Sequence, residues 1–235
     1  MRLKTSIAAL LMAAVSGSAQ AHPHSDGVNF RGTCMRQWPN DGYVSGSGNL
    51  VRQARSVATF NRITSDGPAK LEIAVGPRLS VEVETDDNVV GFITTDSRGG
   101  RLRIGAEGSF CVGRPPRVRI TVPSLAAIDM RASGDARIDG LTGGNLDVTI
   151  TGSSDVTPAG QLDRVGINVN GSGDVDLNSL RARFVDATVN GSGEVDLGSA
   201  SLVSATVNGS GSIYYSGNPE FVDQAVHGSG RIKRR

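Results

Sequence analysis

Carboxylates recurring at a fixed spacing are the first candidates for chemistry in this chain. Asp135, Asp155, Asp174 and Glu194 follow one another at intervals of 20, 19 and 20 residues, with Asp176 and Asp196 two positions beyond the last two. If the fold stacks them, such a column could supply a general acid and base or share a divalent cation. The calcium-binding nonapeptide needs Asp where this chain has Val175 and Val195, so neither a metal nor another cofactor is expected. Like charges one strand apart repel, and solvent with Arg137 and Arg164 is the expected offset.

A second column is neutral. Asn170, Asn190 and Asn208 share one repeat position, continued by Thr151 on one side and His227 on the other. Amides stacked at strand spacing can hydrogen-bond along the column, which favours a structural ladder over a row of ligand contacts. Nucleophilic machinery is poorly represented. The three histidines are His22, His24 and His227; Pro23 spoils an amino-terminal copper site, and the chain has no Gly-x-Ser-x-Gly elbow. No catalytic residue is therefore assigned. The Gly-Ser-Gly segments lead into strands rather than helices, which removes a phosphate cradle.

The two thiols take their meaning from the chain's beginning. Met1-Arg2-Leu3-Lys4, an apolar run from Ile7 to Val15 and Ala19-Gln20-Ala21 form a secretory signal over residues 1–21. The run is too short to span a bilayer, and no transmembrane segment is expected later. After export, Cys34 and Cys111 are expected to form a disulfide, and closing so long a loop constrains the unfolded chain by about 4 kcal/mol.

The elements that must position these residues come from a repeat. Six corners beginning at Ala132, Gly152, Gly171, Gly191, Gly209 and Gly228 are spaced by 20, 19, 20, 18 and 19 residues. Apolar residues alternate before each corner, as in Val165, Ile167 and Val169, and Val156, Val175, Val195, Ile213 and Ile232 share a column after it. Period two means strands with one buried face. A unit of about 19 residues is too short for a βαβ unit or a propeller blade, but it fits one rung of a parallel β-helix. Gly at the corners permits positive φ and close backbone approach, which gives the 31 glycines of this 235-residue chain a structural use. With 38% hydrophobic residues, 4% aromatic and a net charge of +1, collagen, disorder and a broad nucleic-acid footprint are excluded.

Alternating segments at residues 71–75, 79–83, 101–104 and 117–122 extend the strand signal towards the N-terminus, so the whole chain reads as all-β. The N-terminal β-rich portion is expected to continue or cap the β-helix. Charge divides unevenly, from +3 over residues 22–123 to −6 over 124–200 and +2 over 201–235. The candidate interaction surface joins the acidic column and its neighbours with Tyr214, Arg231, Lys233, Arg234 and Arg235.

The order Phe60-Asn61-Arg62-Ile63, Leu71-Glu72-Ile73, Val81 to Asn88, Leu102-Arg103-Ile104 and Val118 to Leu125, leading into the Ser-Gly-Asp corners, resembles the autotransporter adhesin head GIN domain family. The resemblance covers roughly residues 45–230 and implies a right-handed parallel β-helix in a bacterial cell envelope. The domain is taken as 45–235, with clear repeats over 126–235 and an accessory segment at 22–44. A non-catalytic exported adhesin or structural module is expected, in the periplasm, at the cell surface or secreted, with an envelope glycan or surface protein as partner. The alternatives are a carbohydrate-active β-helix enzyme and a scaffold assembling end to end as a homo-oligomer.

Overall fold

The computed structural model describes residues 43–235. The signal segment, His22, His24 and Cys34 lie outside the described residues. Nineteen strands and one short 3-10 turn, Val90–Phe92, make up the fold. The first nine strands are β1 (Val44–Ser45), β2 (Leu50–Arg55), β3 (Arg62–Ser65), β4 (Lys70–Val75), β5 (Ser80–Asp86), β6 (Ile93–Arg98), β7 (Arg101–Ala106), β8 (Phe110–Cys111) and β9 (Arg117–Val122). The repeat supplies β10 (Ala127–Met130), β11 (Asp135–Thr142), β12 (Asn145–Gly152), β13 (Asp155–Gly171), β14 (Val175–Asp176), β15 (Leu180–Gly191), β16 (Glu194–Gly209), β17 (Ser212–Ser216), β18 (Phe221–Gly228) and β19 (Arg231–Arg234).

From β10 onward every pairing is parallel and one rung apart, as a β-solenoid requires. The expected inward columns are continuous: Ala136, Val156, Val175, Val195, Ile213 and Ile232 stand in register down one face. On the next face the column runs Leu102, Ile63, Ile128, Val148, Ile167, Ala187, Ala205 and Gln224. All its members from Leu102 to Ala205 are buried, whereas Gln224 is exposed. The side chains shrink along the stack and end in a polar group.

The two corner glycines have different reasons. Gly171 has φ +145, and a Cβ there would lie 2.2 Å from the Gly152 carbonyl oxygen of the preceding rung. Gly173 has no positive φ, but its Cβ would lie 2.2 Å from the Ser154 oxygen and 2.8 Å from Ile150 Cγ2. Conformational freedom therefore matters at the first position and close stacking at both.

The N-terminal portion both continues and caps the stack, by a threading that is not sequential. β3 and β4 pair in parallel with β10 and β11 on one side and with β7 and β9 on the other. The rung made by the later strands β7 and β9 thus lies outside the rung made by the earlier β3 and β4. Antiparallel β6 and β5 cover the outer edges of β7 and β9, and β2 adds to β5. β1 runs alongside β8 with Ser45 opposite Cys111, so the chain that follows Cys34 arrives beside Cys111.

Candidate functional site

The acidic column exists, and its geometry is that of a corner tie. Asp135 and Asp155 are in register. Asp155 Oδ1 accepts the N–H of Asp174 at 3.2 Å, and Asp174 Oδ1 accepts the N–H of Glu194 at 2.7 Å. Asp155 and Asp174 thus each satisfy a backbone donor of the next rung, which a parallel ladder interrupted by a corner leaves unpaired. Desolvation between flanking rungs, with the like charge of Asp174 and Asp135 added, raises the pKa of Asp155.

The cations that offset this column differ from the expected pair. Arg137 faces Asp139 within its own strand, and Arg164 faces Asp186 while lying 4.8 Å over the Phe184 ring. Both are drawn away because a nearer carboxylate lies two positions along the strand or on the next rung. Instead, Lys70 sits 3.7 Å from Asp135 at one end of the column, and Arg235 contacts Glu194 and Asp196 at the other, at 2.9 and 2.5 Å. Arg235 also lies 3.9 Å over the Tyr214 ring, so Tyr214 is half-covered by the chain's own cation. Asp176 turns back to its own loop, accepting from the N–H of Asn178, as Asp196 does from Gly198. Among the described residues no three His, Cys, Asp or Glu side chains group as a metal site.

The asparagine column is a ladder as expected. Asn190 Nδ2 donates to Asn170 Oδ1 at 2.9 Å, and Asn208 Nδ2 donates to Asn190 Oδ1 at 2.8 Å. Thr151 and His227 extend it in register. Its amides are exposed on one side but point at each other, so rung stacking uses much of their bonding capacity. Of the basic C-terminal group, Arg231, Lys233 and Arg234 belong to the last strand, and Arg235 is engaged as described. No described cysteine is free, while the pairing of Cys111 with Cys34 lies outside the described residues.

Two features escaped the sequence reading. The first is a charge lattice across β2, β5, β9 and β4. Glu84 accepts from Arg52 Nε and from Arg119, whose Nε also contacts Glu72 at 3.1 Å, and Arg117 reaches Glu72 at 3.1 Å. The hydrogen bonds from Arg119 and Arg52 hold the Glu84 carboxyl down at about 2. Alternating Arg and Glu in these strands were visible, but opposite charges come to face each other only through the antiparallel pairing of β5 with β2 and β9 and the parallel pairing of β4 with β9. The second is a groove of about 560 Å³ on the return corner of β13, β15 and β16, lined by Gln161, Arg181, Arg183, Ser199, Ser201 and Asn218 among others.

A family model described as "Putative auto-transporter adhesin, head GIN domain" matches residues 59–219. Among solved structures, a putative adhesin from Bacteroides fragilis aligns with TM-score 0.69 at 23% identity, covering 82% of this chain and 100% of that one. A putative adhesin from Parabacteroides merdae aligns with TM-score 0.56 at 19% identity, covering 83% and 99%. A putative lipid binding protein from Parabacteroides distasonis aligns with TM-score 0.52 at 21% identity, covering 82% and 99%. At these identities the likeness is one of fold. No curated protein matches the chain.

Proposed function

The chain belongs to the auto-transporter adhesin head GIN domain family, and from that premise we propose that it is a non-catalytic exported module that binds an envelope polymer or surface protein through the sides of its solenoid. One observation carries this reading. The side chains most like catalytic groups, the stacked carboxylates, are already engaged by the fold: Asp155 and Asp174 by backbone N–H groups of the next rung, Asp135 by Lys70 and Glu194 by Arg235. A carboxylate held that way has an oxygen committed to ordering the stack rather than to a substrate. No helix among the described residues is long and apolar enough to cross a membrane, and the secretory signal read at residues 1–21 supports export to the periplasm or beyond. An oxidising compartment also suits a Cys34–Cys111 bridge. Thiol titration of the unfolded, unreduced protein should find no reactive thiol, and two would remove the bridge.

The experiment for the function is a panel of envelope polysaccharides incubated with the full chain. Retention of at least one polymer on the immobilised protein, with its length unchanged, is the expected result. Release of reducing ends or unsaturated fragments would make the chain a carbohydrate-active enzyme instead. A second reading, self-association, is favoured by the last rung, where Phe221 and Val226 are 61% and 43% exposed. Because antiparallel strands cover the opposite end, this reading predicts a pair meeting at their last rungs rather than a filament. Sedimentation showing a monomer at high concentration would remove it.

A further inference from the structure

The return corner holds two cations that nothing in the fold uses. Arg131, Arg137 and Arg164 each contact a carboxylate, at Asp129, Asp139 and Asp186. Arg181 and Arg183, both exposed on β15, have no ion pair or hydrogen bond among the described residues. They flank Ala182, which stands in register with Leu162 on one rung and Ala200 on the next. Ala182 and Leu162 pack inward in the core, and the groove of about 560 Å³ lies on the outer side, where Arg181 and Arg183 project. Its walls are polar: Ser199 and Ser201 on β16, Gln161 on β13 and Asn218 after β17. The acid in the lining, Asp163, accepts the Gly144 N–H at 3.2 Å, leaving the groove with a net positive charge.

Two guanidiniums at positions i and i+2 of a strand project from the same face about 7 Å apart. Each presents a planar fork that suits an oxyanion bidentately. Hydroxyl and amide groups between and beside them can donate to or accept from sugar hydroxyls. We propose that this groove binds an acidic polysaccharide, with Arg181 and Arg183 holding anionic groups of the polymer and Ser199, Ser201 and Asn218 meeting its hydroxyls. This rests on the binding-module reading and assigns that function a face and a ligand class. The open groove suits a chain that runs across rungs more than an enclosed small molecule.

The test immobilises the full chain and measures retention of polygalacturonate, dextran sulfate and neutral dextran. Polygalacturonate retained above dextran sulfate identifies carboxylate as the anion, the reverse order identifies sulfate, and neutral dextran is expected to pass through. The double variant R181A/R183A, both positions exposed, should weaken retention at least tenfold. Arg181→Lys with Arg183→Lys keeps the charge and removes the forks, and an intermediate loss is expected. Ser201→Leu adds bulk on the outer side that lines the groove without altering charge and should also weaken retention, with its melting curve confirming a folded protein. A triple variant R231A/K233A/R234A at the last strand should bind as the parent does. The groove is overturned if R181A/R183A binds normally, or if a folded Ser201→Leu protein does. Retention that survives in these variants but falls in the last-strand triple would keep the binding-module reading and move its site. Failure of the parent to retain any polymer, anionic or neutral, would count against that reading itself.

Discussion

At one end of the stack, the edges of β7 and β9 are covered by antiparallel β6 and β5, and the inward residues are large: Leu102, Ile104, Val118 and Ile120. At the other end, among the described residues, nothing pairs with the outer edges of β18 and β19, and the inward positions hold Val222, Gln224, Val226 and Ile232. Among the described residues the solenoid therefore has a closed head and an open tail. In a stack whose stability is a sum of rung and neighbour terms, a rung with one neighbour is the weakest. A cap made of antiparallel strands supplies the missing neighbour without offering a parallel template, while the tail leaves Gln224, Arg231, Lys233 and Arg234 exposed. Stability should fall from head to tail.

The largest effects should come from corner glycines at different heights. Gly173→Val places side-chain atoms against the Ser154 carbonyl in mid-stack, and a loss of about 3 to 5 kcal/mol in urea unfolding is expected. Gly230 is crowded by Val207 and by the Gly211 oxygen at 2.5 Å, yet among the described residues its rung has no outer neighbour and can shift. Gly230→Val should cost less than half as much, and equal losses would break the contrast. Next in size, Leu102→Ala removes a fully buried side chain beneath the cap, at a cost of about 2 to 5 kcal/mol. Val226→Ala, 43% exposed at the tail, should cost under about 1 kcal/mol.

Acid sharpens the same contrast through two carboxylates of opposite shift. Glu84 in the head has its pKa lowered from 4.5 to about 2 by Arg119 and Arg52. Its contribution is full above pH 4.5 and is lost as pH falls towards 2. Glu84→Gln should destabilise the neutral protein and flatten that part of the pH–stability curve. Asp155 in the shaft has a raised pKa, so the folded state disfavours its charge and gains relative stability as pH falls. Asp155→Asn keeps an oxygen to accept the Asp174 N–H, and at pH 7 its effect should be neutral or stabilising, within about 0.5 kcal/mol. A marked loss would mean that the negative charge itself holds the corner.

Much of the shaft was legible because a solenoid repeats its own logic. Once Val156, Val175, Val195 and Ile213 share a column, Asn170, Asn190 and Asn208 must share another, and the ladder follows. The head was not legible in that way. Its strands showed period-two alternation, but alternation is the same for parallel and antiparallel partners, so nothing local to residues 101–122 placed them outside residues 62–75. The pairing of Arg235 with Glu194 and Asp196 was hidden because it spans two rungs and depends on where the last strand stops. The groove was hidden for a related reason. Arg181 and Arg183 look like ordinary outward residues until the register sets Arg181 opposite Ser199 and one groove collects both.

Native-state amide hydrogen exchange tests the closed-head, open-tail account most directly, because it reads the opening free energy of each rung separately. The account predicts protection that is highest in β4, β9 and β11, remains high through β13 and β15, and drops across β17 to β19. Protection in β18 and β19 equal to that in β13, or a profile that weakens towards the head instead, would contradict it.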